Sequence, residues 1–209
     1  LWGNVCGVNL AAKIQRVYEQ LFNTISQKVT LTAGEQETLK KFFIPKKIRK
    51  RQFLLNAGDV CQHSAFVERG LLRSYSIDEN AHEHVMQFAP EGWWISDMGS
   101  YFSGDPSVYN IEAVEDSELL LVTRAAQAEM IETIPAMEKY FRMLLQRHVV
   151  ALQRRLTNTM SLTAEEKYTV MMDKYPDLIA RVPQQQMASY LGITPETLSR
   201  IRKSVSRQK

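Results

Sequence analysis

A carboxylate and a guanidinium stand four residues apart near the end of the chain, Glu196 and Arg200 in TPETLSRIRK. On a helix, residues spaced three and four apart share a face. Glu196, Ser199, Arg200 and Lys203 therefore line one side of that segment. Such a face suits a DNA groove. Arginine can donate two bonds to O6 and N7 of guanine, and a carboxylate can accept from N4 of cytosine. Thr194, Thr197 and Ser199, with the open N–H groups of a helix start, can meet phosphates. A glutamate pointed at phosphates would be repelled, so Glu196 is useful there only against bases. Spacing alone leaves a second reading open, a helical hairpin with a charged exposed face.

The elements that must carry these groups are legible on either side. Met187, Tyr190 and Leu191 form an apolar stripe at i, i+3 and i+4, and Ala188 is small enough to let a second helix approach. Gly192 stands where a helix end needs a left-handed residue. Thr194 is placed to cap the next helix and Pro195 to open it. Leu198 and Ile201 face inward with Val205 behind them, and Ile193 can plug the turn. From Arg181 onward there are six basic residues and one acid, so this segment carries +5 and the remainder of the chain −2. That asymmetry is the electrostatic footprint expected for a phosphate partner, although a solvated basic tail would produce it too.

Other chemistry is sparse. His82 and His84 form an H-x-H pair on a β-prone run, which invites comparison with a cupin-like metal-dependent enzyme, with Glu91 as the carboxylate. Glu91 falls in a turn-like PEGWW, and no later histidine lies in the β region, so the spacing does not fit. Two cysteines, Cys6 and Cys61, are too few for an iron–sulfur cluster or a disulfide framework. The four histidines give no pattern of haem ligands. No nucleophile–base pair or phosphate-cradling glycine loop is visible. The sequence implies no cofactor, no metal and no enzyme.

Periodicity divides the 209 residues into blocks. Residues 10–44 read as helix, with Ile14, Val17, Tyr18, Leu21 and Phe22 at helical spacing and Pro45 as the stop. Residues 46–125 are short β-prone runs punctuated by Gly58, Gly70, Gly92 and Gly104, the pattern of a closed or two-sheet β structure. Residues 126–160 read as helix, with Pro135 near the start. Met137, Phe141, Leu144, Leu145, His148, Val149, Leu152 and Leu156 make a broad apolar stripe on it. Thr163 and Glu166 form a capping box for a helix over 164–174, and the small polar stretch 157–163 is the expected hinge. No apolar run is long enough to span a membrane, and the first residues do not read as a signal peptide. A cytoplasmic protein is expected.

The terminal stretch resembles the helix-turn-helix of the Crp/Fnr family of transcription regulators. Gln184, Ala188, Gly192, Leu198 and Ile201 fall at that motif's steps of 4, 4, 6 and 3. The resemblance extends over about residues 30–204, through the AGD hairpin, the strand pair VERGLLRSYSID and the long helix. It implies an α+β chain. A jelly-roll barrel like that of cyclic-nucleotide-binding domains, with flanking helices, would occupy residues 1–134. A long dimerisation helix would span 135–160, and a helix-turn-helix domain without a full wing 161–209. It implies a homodimer acting with RNA polymerase at promoter sites on double-stranded DNA. Glu196 and Arg200 would be the base readers. Thr194, Thr197, Ser199, Arg202 and Lys203 would meet phosphates, and Phe141, Leu145, His148 and Leu152 would lie in the dimer interface. Pro195 replaces a base-reading arginine of some members, so the target sequence is expected to differ from theirs.

The effector region departs from the family. Where the cassette that binds the cyclic nucleotide's phosphate would have Gly-Glu and later Arg-Ser, this chain has Ser96, Asp97 and Met98, then Ser107 and Val108. No arginine lies between Arg73 and Arg124. A phosphate there would lack its bidentate partner. Val150 and Ala151 stand where family members contact the nucleobase. Cyclic AMP is therefore not expected to bind in the usual way. The effector is an unknown small molecule or none.

Overall fold

The computed structural model describes residues 17–207; Cys6 and Ile14 lie outside the described residues. The chain divides into two compact units. One holds the residues up to Leu72 together with Ala89–Met143; the other holds Arg73–Phe88 and Leu144–Lys209.

The first unit opens with two short helices, α1 (Glu19–Ser26) and α2 (Ala33–Lys40). Leu21 and Ile25 bury one face of α1, and Thr32 and Glu35 close a capping box at the start of α2. The helical reading of 10–44 is thus divided, and its expected stop is misplaced. Pro45 falls inside the first strand, β1 (Ile44–Ile48). That strand is at the edge of its sheet, where a missing N–H can face outward without costing a ladder bond.

The strands continue as β2 (Phe53–Leu55), β3 (His63–Arg69), β4 (Leu72–Ile77), β5 (Glu83–Ala89) and β6 (Trp94–Ile95). After a short helix α3 (Met98–Ser103) come β7 (Asn110–Ala113) and β8 (Ser117–Thr123). One sheet has the order β1-β8-β3-β6, its neighbours antiparallel, with Ile44 opposite Leu121 and Ala65 between Leu121 and Ile95. In the other, β2 pairs antiparallel with β7. Ala65, Val67, Leu72, Ile95, Tyr101, Ile111, Leu119 and Leu121 fill the space between the strands. The turn after β3 depends on Gly70, at φ 96°. A Cβ there would lie 2.3 Å from Ser117 Oγ and 2.7 Å from the Asp116 carbonyl oxygen, so only glycine fits.

Two helices follow where one was read: α4 (Arg124–Thr133), capped by Thr123, and α5 (Pro135–Ser161). The break is at Ile134, and Pro135 opens the second helix without losing a bond. Trp94 anchors the start of α5. Its indole N–H donates to Tyr140 Oη (3.1 Å), and its ring meets Phe141 edge-on at 5.6 Å.

The second unit contains the β4–β5 hairpin, the rest of α5, and four further helices. These are α6 (Ala164–Lys174), α7 (Pro176–Arg181), α8 (Gln184–Leu191) and α9 (Pro195–Arg207). The capping box of Thr163 and Glu166 starts α6 as the sequence indicates. The stretch 157–163 is helical almost throughout; only Leu162 and Thr163 separate α5 from α6. Within it the Thr159 hydroxyl donates to the Arg155 carbonyl oxygen one turn earlier, at 2.8 Å. Pro176–Arg181 form α7, opened by Pro176.

Candidate nucleic-acid interface

The α8–α9 pair is built from a few local decisions. α8 ends at Gly192, which takes φ 68° and ψ 37°. The Ile193 N–H then donates back to the Ala188 carbonyl oxygen at 3.0 Å, closing the helix end. Thr194 Oγ1 accepts from the Thr197 N–H at 3.2 Å, capping α9 one residue before Pro195. Gln184 Nε2 donates to the Pro195 carbonyl oxygen at 3.0 Å, tying the start of α8 to the start of α9. Between the helices, Met187, Ala188, Leu191, Leu198 and Ile201 are buried. Tyr190 is only half-buried, as are Ile193 and Val205.

The opposite face of α9 is open. Thr194, Glu196, Arg200, Arg202 and Lys203 are exposed; Thr197 and Ser199 are half-buried. Arg200 lies against its own helix, donating to Thr197 Oγ1 at 3.3 Å. The packing residues and the candidate reading residues thus occupy separate faces, as their spacing requires.

The exposed stripe of α5 is longer than the sequence reading assigned to an interface. Leu145, Val149, Leu152 and Leu156 are 54%, 47%, 49% and 63% exposed, and Met160 is 79% exposed. The steps of four, three and four from Leu145 to Leu156 match the spacing of a coiled-coil seam. His148 is also exposed. Phe141 is different: it is half-buried against Trp94 within its own unit.

Of the residues that the resemblance puts near a phosphate cassette, Asp97 and Ser107 are bonded to each other. Asp97 is buried; its Oδ1 accepts from the Ser100 N–H at 3.3 Å as the cap of α3, and its Oδ2 accepts from Ser107 Oγ at 2.7 Å. Ser107 is buried with it, Ser96 is half-buried, and Met98 and Val108 are exposed. Val150 and Ala151 belong to the second unit and are exposed on α5.

His82 and His84 gather on Asp78 in the β4–β5 turn, at 3.5 and 2.9 Å from its Oδ2. Hydrogen bonds from His84 and from the His82 N–H hold the Asp78 carboxyl down at about 2. Glu91, the third member of the cupin-like set, instead accepts from the Gly70 N–H at 2.9 Å. Among the described residues, no group of three or more His, Cys, Asp or Glu is arranged to hold a metal ion.

Comparison with known proteins agrees with this geometry. Residues 45–133 match the cyclic nucleotide-binding domain family. Electron transport regulator A of Shewanella oneidensis is 22% identical over 190 residues, covering 85% of this chain and 75% of that protein. CLP, the c-di-GMP-responsive global regulator of Xanthomonas campestris, superposes with a TM-score of 0.69 at 15% identity, over 85% of this chain and 93% of its own. FixK2 from Bradyrhizobium japonicum gives 0.67 at 19% identity, over 79% and 85%. The chain has the fold of a Crp/Fnr-type regulator. In this Crp/Fnr-type fold α8–α9 is the helix-turn-helix, α5 the long helix, and the β unit the cyclic-nucleotide-binding-like jelly roll. Asp97 and Ser107, which the resemblance puts near the phosphate cassette, are bonded to each other.

Sequence reasoning missed two side chains that join the helix-turn-helix to its surroundings, Arg155 and Ser189. Neither carries a spacing signal, because both bond to backbone atoms of a distant hairpin. It also passed over Glu68. That carboxylate is buried on β3 and accepts from the N–H groups of Gln20 (3.0 Å) and Leu21 (2.8 Å). Burial pushes it up to about 7 despite those bonds.

Proposed function

We propose that this chain is a homodimeric, sequence-specific DNA-binding transcription regulator of the Crp/Fnr type. The observation that carries the reading is the division of α9 into two faces. Leu198 and Ile201 are committed to packing, which leaves Glu196 and Arg200 outward at the start of a capped helix. In this reading Glu196 and Arg200 meet base edges in the major groove. Thr194, Thr197, Ser199, Arg202 and Lys203 meet phosphates and set the register.

Two subunits pair through the stripe Leu145, Val149, Leu152 and Leu156, with His148 beside it. Phe141 supports that helix from its own barrel. Pairing sets two recognition helices to read two half-sites about one DNA turn apart, ~34 Å. The barrel within residues 1–134 is a sensor or scaffold whose cassette region does not clamp a phosphate, since no arginine lies between Arg73 and Arg124 to supply the bidentate partner. A cytoplasmic location and action with RNA polymerase at promoters follow from this role. No helix among the described residues is long and apolar enough to cross a membrane.

Selection of bound duplexes from a random pool tests the reading. The expected product is a two-fold symmetric site with half-sites about one turn apart. Recovery of no sequence preference would overturn it.

A further inference from the structure

α8 meets both α9 and the β4–β5 hairpin within its own unit. Met187, Ala188 and Leu191 face α9. Ser189 and Tyr190 face the β4–β5 hairpin, and the contacts of Ser189 there are polar. Ser189 Oγ donates to the Glu83 carbonyl oxygen at 2.5 Å and accepts from the Val85 N–H at 3.0 Å. β5 is the last strand of its sheet. Such an edge presents N–H and C=O groups with no ladder partner, and here one serine hydroxyl takes up two of them.

Arg155 completes the junction from α5. Its guanidinium donates to the carbonyl oxygens of Val85 (3.0 Å), Met86 and Tyr190 (3.3 Å). It also lies 4.3 Å from the centre of the Tyr190 ring, which in turn meets Phe88 at 5.3 Å. One side chain therefore binds three elements: the long helix that bears it, the hairpin edge, and the first helix of the helix-turn-helix. The planar, five-donor fork of arginine can reach acceptors on separate elements and stack on a ring at the same time, a geometry the compact ammonium of lysine does not reproduce.

We propose that Arg155 and Ser189 are positioning residues for DNA readout. They fix the direction of the α8–α9 pair relative to α5, and so the half-site spacing that the dimer accepts. This rests on the DNA-binding reading above. The joint and the reading face do not compete, since Glu196, Arg200 and Lys203 stay exposed while every contact of the joint is made. The leverage is large. A tilt of about 10° over about 20 Å moves a helix by about 3.5 Å, close to one base-pair rise. Beside the Tyr190 ring, which lies between Arg155 and Phe88, every hydrogen bond of the joint runs from Arg155 or Ser189 to backbone atoms, so these two side chains hold its polar part.

The test uses the full chain and duplexes carrying the two selected half-sites at centre separations stepped one base pair at a time through about one DNA turn. The wild type is expected to favour one spacing over its neighbours by about tenfold or more, which is about 1.4 kcal/mol. Arg155→Ala and Arg155→Lys should flatten that preference to within about threefold, and Ser189→Ala, the gentler change, should flatten it partly. Base preference within a single half-site should be unchanged in all three. Faster amide exchange at Val85 in Ser189→Ala would show that the joint has opened in a folded protein. A spacing profile as sharp in the variants as in the wild type would overturn the proposal, as would a wild type indifferent to spacing. A wild type that reads no sequence at all would instead remove the DNA-binding reading, and this proposal with it.

Discussion

Replacing Leu152 and Leu156 together by alanine should separate the subunits without unfolding them. Both side chains are about half exposed in the single chain, at 49% and 63%. Full burial of a leucine is worth about 1.5–3 kcal/mol, so covering the exposed part contributes about 1 kcal/mol for each. A dimer buries four such side chains at these two positions, so the double substitution should cost about 4 kcal/mol. That is about a thousandfold in dimer Kd. Alanine favours the helix, and neither leucine is in the core of the single chain, so the protomer should keep its stability. Sedimentation equilibrium over a concentration series reads the result directly, with thermal unfolding at low concentration as the control. A wild type that stays monomeric at tens of micromolar, or a variant with an unchanged Kd, would refute the assignment of the stripe to a dimer seam.

Three further outcomes follow from the structure. Glu68 holds its proton in the folded state up to about 7, whereas a free glutamate loses it near 4.5. The folded state therefore binds the extra proton between those values, and stability should fall as pH rises from 4.5 to 7, by at most about 3 kcal/mol. Glu68→Gln should flatten that slope in urea titrations followed by tryptophan fluorescence; an unchanged slope would place its origin elsewhere. Gly192→Ala should destabilise the second unit by about 1–2 kcal/mol. Open space surrounds the position, so the whole cost comes from φ 68°, and Gly192→Asn should recover part of it in thermal melts. Cyclic AMP at millimolar concentration should leave the melting temperature unmoved. A clear rise would show that Asp97 and Ser107 do not close the cassette region to phosphate.

The parts legible in the sequence are those set by neighbouring residues. The Thr163–Glu166 box, the left-handed Gly192 and the Thr194–Pro195 start follow from local geometry, and each stands where its spacing places it. Burial of Leu198 and Ile201 followed from a helical stripe. Long-range pairing was not legible. Nothing local shows that Pro45 can sit in an edge strand, that Asp97 will be spent on Ser107, or that Ser189 will meet a hairpin about a hundred residues earlier in the chain. Periodicity runs through 126–160 without showing that α4 is a separate helix, although the long helix was expected to begin at Pro135, where the structure starts it after a break at Ile134. Phe141 shared a face with Leu145 and Leu152, so periodicity alone could not tell its barrel-side partner Trp94 from a second subunit.

The central claim is that α9 reads bases through Arg200 and holds phosphates through Lys203. Affinities of Arg200→Ala and Lys203→Ala for the selected site, for each single-base variant of it, and across a salt series test this most directly. Arg200→Ala should lose about 1–3 kcal/mol on the selected site and lose discrimination at one base pair of each half-site. Lys203→Ala should weaken all sequences alike and lower the salt slope by about 1 for each subunit's contact. Equal effects of the two substitutions on every sequence, with base preference intact in both, would contradict the account.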